Sequence, residues 1–194
     1  MPRPDLRALP PVFRALAVGF LISLGLAYAI ALLFVFVETD MTSKGITSQY
    51  RGGAGDGIGE DVSVFSAEGE ENPPRLREEW ASRNQGLKFP KPLKEMILTT
   101  HLHMLSISTI LLLVGAIFAC SSFPERGKTW IIAAGFLGLV LDFSCMWGVR
   151  YIGHGFSLGV FFFGSIQSLS LALQMLVALV DLLRPGIGTR LGNP

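Results

Sequence analysis

Four stretches of this chain are apolar for long enough to cross a bilayer: 15–37, 93–120, 129–149 and 156–183. Nothing else in the sequence limits the fold so much. As a helix rising 1.5 Å per residue, the run 15–37 spans about 34 Å, against a hydrocarbon core of about 30 Å. Inside hydrocarbon every backbone N–H and C=O needs a partner within the protein, and a helix supplies all of them locally. Half of the 194 residues are hydrophobic and 16% are charged, the balance of a membrane protein rather than a soluble domain. The expected fold class is therefore all-α: a polytopic membrane protein of four transmembrane helices.

The polar segments between these runs set the topology. Residues 1–14 carry Arg3, Arg7 and Arg14. A cleaved signal peptide would have a shorter apolar region ending in small residues. This run ends Phe34-Val-Phe-Val-Glu-Thr-Asp40 instead, so it reads as an uncleaved anchor. Segment 38–92 is a long loop whose middle, Gly52 to Pro74, is rich in glycine and acids (Asp56, Glu60, Asp61, Glu68, Glu70, Glu71) with no base. Such a composition buries too little apolar surface to fold alone. Arg75 to Trp80 suits a short surface helix, and Lys88 to Lys94 is a basic lead-in. The remaining links are short: 121–128 with the breakers Pro124 and Gly127, the turn 150–155, and the tail 184–194.

Lysine and arginine in short loops orient the bundle. Arg3, Arg7, Arg14, Arg126, Lys128, Arg184 and Arg190 fall on one side. Both termini are thus expected in the cytoplasm of a bacterial cell, with loop 38–92 and the turn at His154 on the periplasmic face of the inner membrane. A net charge of +1 makes no electrostatic case for nucleic acid. Membrane lipids and other membrane subunits, met through loop 38–92, are the expected partners.

An ionisable side chain at membrane depth is costly and points to function. The chain's three histidines are His101, His103 and His154. The first two open the second span, about 200° apart around the helix, so only one of them can face the bundle centre. Asp142 lies in the third span on a small-residue face with Gly135, Gly138 and Cys145, the kind that lets helices approach closely. Gly164, Gln167, Leu171 and Gln174 form a stripe on the fourth, and Arg150 closes the third as a snorkelling cation. The outer half of a four-helix bundle would gather His101 or His103, His154, Asp142 and Gln167.

Three readings stand open for that gathering. A haem b held by two imidazoles would use His101 or His103 with His154. A metal ion or quinol head would use the histidines with Asp142. Alternatively the histidines hydrogen-bond one another, Asp142 or a headgroup and fix the packing. A (bacterio)chlorophyll held by one histidine would look the same in sequence. Cys120 and Cys145 lack metal-finger spacing and the Cys-x-x-Cys-His pattern, so they read as packing residues. Trp130, Trp147 and Tyr151 read as interfacial anchors. The glycines of Gly52 to Gly57 follow no strand and make no nucleotide fingerprint. No nucleophile triad, Walker-type loop or His-Glu-x-x-His stretch is present, and no catalytic activity of its own is expected.

Gly45-Ile-Thr-Ser-Gln-Tyr50-Arg-Gly after the first span, Thr100-His-Leu-His-Met-Leu-Ser opening the second, Asp142 with Trp147, and Gln174 together resemble a loose group of small uncharacterised bacterial four-helix membrane proteins with an outer-face His-x-His. That resemblance implies the fold and an outer-face histidine site, and no reaction. A fainter likeness to membrane cytochromes b rests on histidines in a four-helix bundle, and departs from them because no second span carries a histidine. The functional expectation is an accessory subunit of a larger respiratory or photosynthetic electron-transfer complex, with a cofactor site at its outer face. The alternative is a stand-alone haem b-binding or quinol-interacting electron carrier.

Overall fold

The computed structural model describes residues 6, 9–39, 42–52 and 90–184. Arg3, Arg7, most of the acidic stretch up to Pro74, the helix expected at Arg75–Trp80, Lys88 and Arg190 lie outside them. The described residues form five helices: α1 (Pro11–Thr39), α2 (Ser43–Arg51), α3 (Leu93–Ala119), α4 (Glu125–Tyr151) and α5 (Phe156–Leu183). All but α2 are long and apolar enough to span a membrane, and no strand occurs among the described residues.

Local chemistry sets the helix ends. Helix α1 starts at Pro11, where a proline loses no intrahelical hydrogen bond. It runs longer than the expected 15–37 at both ends, and Arg14 in its first turn donates to the carbonyls of Leu182 and, at 2.8 Å, Arg184 at the end of α5. Helix α4 starts at Glu125, directly after Pro124, rather than at Thr129. Gly127 is therefore inside the helix and breaks nothing. Glu125 suits the positive helix start, and the buried Lys128 reaches back to Glu125 at 3.2 Å and to the Ala119 carbonyl at 2.8 Å. That lysine satisfies the end of α3 while it begins α4. The Leu6 N–H donates to the Cys120 carbonyl at 3.2 Å, tying the N-terminal segment to the same end of the bundle.

Helix α2 replaces part of the loop expected over 38–92. Thr42 caps it by accepting from the Gly45 N–H at 2.9 Å, and Gly52 closes it at φ 79°, a left-handed conformation that suits glycine. Its apolar residues Ile46 and Tyr50, four apart, turn inward onto the bundle. With two such residues in nine, periodicity gave little notice of it. Helix α2 packs on α4, α5 and α1, at the end where α3 and α5 begin and α4 ends.

The centre is the α4–α5 hairpin, against which α3 leans. A Cβ built on Gly138 would lie 3.0 Å from the Gln167 nitrogen and 3.1 Å from the Phe163 carbonyl; one on Gly135 would lie 2.9 Å from Ser170 Oγ. Without side chains at these positions the two backbones close up, which in lipid is the main source of packing energy. Leu111, Val114, Leu139, Phe143, Met146, Leu171, Met175, Ala178 and Leu182 fill the core.

Candidate functional site

The stripe of α3 that faces the bundle runs through Met96, Thr100, Met104, Ile107, Leu111, Val114 and Phe118. Both His101 and His103 are exposed. Two residues apart, they stand to either side of that stripe, one on each flank. The expectation that one of them faces the bundle centre is therefore corrected: α3 spends its inward positions on apolar and small residues. His154 is exposed in the turn between α4 and α5, where its carbonyl accepts from Ser157 Oγ at 2.7 Å. The three imidazoles do not meet in the bundle interior. Among the described residues no three His, Cys, Asp or Glu side chains lie together as a metal site would need.

Asp142 and Gln167 do point inward. The Asp142 carboxylate sits against Gly164, whose added Cβ would be 3.5 Å from Oδ1, and that buried oxygen has no hydrogen-bond partner among the described residues. Tyr50 of α2 closes over this region. Its phenol is pushed up to about 12, first by burial and then by the Asp142 carboxylate. Gln174 is buried deeper, where its Nε2 donates to Ser170 Oγ at 3.0 Å and that hydroxyl donates to the Ile131 carbonyl at 2.6 Å. Its Oε1 has no hydrogen-bond partner among the described residues. These polar groups lock α4 to α5 beside the glycine contacts.

A second group sits at the α2 end, and sequence reasoning named its members without joining them. The Lys91 N–H donates to the Tyr50 carbonyl at 3.2 Å, and Arg150 Nε donates to the Lys91 carbonyl at 2.8 Å. Three separate elements are thereby joined through one residue. Lys91 Nζ lies 5.3 Å over the Tyr50 ring, the Arg150 guanidinium lies 5.0 Å over Tyr151, and Tyr151 stacks on Trp147. Trp147 Nε1 donates to Thr100 Oγ1 at 2.9 Å, linking α4 to α3. Arg150 and Trp147 were legible as an end-of-span cation and an anchor. The partnership of Lys91 with Tyr50 was not, because it joins residues far apart in the chain.

At the opposite end Asp181, buried in the last turn of α5, accepts from the Ser122 N–H at 2.5 Å and from Ser122 Oγ at 2.9 Å. This carboxylate holds the α3–α4 link against α5, a structural task for which no sequence signal stood out.

The model of a transmembrane helical domain family matches residues 40–187. No curated protein and no solved structure matches the chain. The matched region takes in α2 to α5 and leaves out α1.

Proposed function

This chain belongs to the Aq_1264_TM family, a transmembrane helical domain, and we propose that it works as an accessory integral-membrane subunit of a larger bacterial respiratory or photosynthetic electron-transfer complex. One observation carries the reading. His101 and His103 lie within span α3, exposed and with no side-chain hydrogen bond among the described residues. An imidazole left facing hydrocarbon loses its hydration without compensation. A neighbouring subunit or a cofactor held between subunits would supply the missing partner. Other polar residues exposed on the spans, such as Ser106, Thr109, Ser144 and Ser165, satisfy themselves on their own helix carbonyls. The histidines do not.

In this reading both termini face the cytoplasm and residues 38–92 the periplasm of the inner membrane. A haem b or (bacterio)chlorophyll would take one imidazole from this chain and its remaining contacts from another. The stand-alone haem carrier finds less support, since the donors of one copy do not face each other across the bundle.

The test is gentle extraction of the native protein, followed by its mass and its visible spectrum before and after dithionite. Co-purifying membrane subunits, lost in His101→Ala or His103→Ala, are the expected result. A reduced haem band or far-red absorption in that assembly would give the histidines their cofactor. A monodisperse single chain with both variants unchanged would sink the proposal.

A further inference from the structure

The α2 end carries an arrangement of cations that neither the packing nor the accessory role explains. Arg51, Lys91, Lys94 and Arg150 stand there, brought together by the backbone of Lys91, which bonds to Tyr50 on one side and to Arg150 on the other. Arg51 directly follows Tyr50, and Lys94 lies in the first turn of α3. Arg51 and Lys94 are exposed and carry no ion pair among the described residues. Arg150 uses only Nε, so its two terminal nitrogens are uncommitted there. Near these cations Glu95 lies 3.8 Å from Lys91 Nζ, and Asp142 lies beneath Tyr50.

Like charges gathered at one end of the bundle repel unless something neutralises them. The rings of Tyr50, Tyr151 and Trp147 beneath the cations mark the level where amphipathic aromatics sit at a membrane surface. The anion abundant at that level is a phosphate ester. A guanidinium whose Nε is already fixed presents its remaining N–H groups as a preset fork for phosphate oxygens. We propose that Arg150, Lys91, Lys94 and Arg51 form a seat for the phosphate of an anionic lipid headgroup, with Tyr151 and Trp147 against the glycerol and upper acyl region.

The full chain, purified in mild detergent, would be examined by native mass spectrometry after addition of phosphatidylglycerol, phosphatidylcholine or inorganic phosphate. Retention of phosphatidylglycerol over phosphatidylcholine, weakened by salt, is expected. Removing a cation should lower that retention about fivefold per charge, in Arg150→Gln and in the double variant Arg51→Gln/Lys94→Gln. The double variant changes only exposed side chains, so it decides the matter if Arg150→Gln fails to fold. Binding of inorganic phosphate that competes with the lipid and shows the same loss in the variants would support the phosphate seat and make free phosphate a second source. Equal lipid retention by wild type and the double variant would overturn the proposal. So would retention that appears only after Asp56, Glu60 and Asp61 are replaced by their amides, since the chain's own acids would then be the occupant.

Discussion

Helix α1 and the α4–α5 hairpin are built from similar apolar residues and behave in opposite ways. Of the four spans α1 has the highest mean hydropathy, yet only 6% of its most apolar window is buried, against 44% in α5. It touches the core through Leu21 and the partly buried Ala17, Val18, Phe20, Leu24 and Tyr28, while residues 29–37 are exposed throughout. Gly19 and Gly25 have nothing within 4 Å of an added Cβ, whereas Gly135 and Gly138 have no room for one. In water the most hydrophobic segment would be the most buried. In a bilayer lipid satisfies apolar surface as well as protein does, so hydropathy governs insertion, and small residues with placed polar groups govern association.

The sharpest way to break this contrast is to fill the glycines. Gly138→Leu should push α4 from α5 and cost at least about 2 kcal/mol, read by thermal unfolding of the detergent-solubilised chain. Gly19→Leu and Gly25→Leu on α1 should fall within about 0.5 kcal/mol of wild type. Equal losses at both places would mean that α1 hides a tight interface. Next in size is Asp181→Ala, which strands the Ser122 N–H and should cost about 1–3 kcal/mol, loosening the α3–α4 link where protease accessibility would report it.

Arg14→Ala should be milder, about 1 kcal/mol. It would free the start of α1 from the end of α5 and leave the hairpin's unfolding unchanged. Crosslinking between α1 and α5 should fall while that between α4 and α5 holds.

The last effect is absent at neutral pH and confined to alkaline pH. Tyr50 titrates at about 12 in the fold and near 10 in an unfolded chain. The unfolded state therefore loses its proton first. The stability linked to Tyr50 is complete below pH 10 and is lost as pH rises toward 12. Tyr50→Phe should abolish that dependence. An identical alkaline profile in wild type and variant would separate α2 from the bundle.

Much of the architecture was legible because span length and polarity are properties of the chain itself. The helix over 156–183 starts and ends at the residues the apolar run indicates. The small-residue face of Gly135, Gly138, Asp142 and Cys145 does turn toward α5, where Gln167, Ser170 and Gln174 meet it. The candidate site was less legible. Helical period places His101 and His103 on different faces, but it does not say which faces have neighbours, and the neighbours left both outside. The partnership of Tyr50 and Lys91 was not legible, because they sit in a polar segment with no strong pattern and only packing made them partners.

The sequence by itself determined that this protein is helical and membrane-spanning, since the cost of an unpaired peptide group in hydrocarbon leaves a long apolar run no other form. It also determined, to within a residue, where α3 and α5 start and stop. Only the tertiary structure decided that α4 and α5 form the core, that α1 stands aside, that α2 folds over Asp142, and that the histidines face out. Those outcomes depend on shape and on hydrogen bonds between distant residues, and in a lipid solvent hydrophobicity does not choose among them.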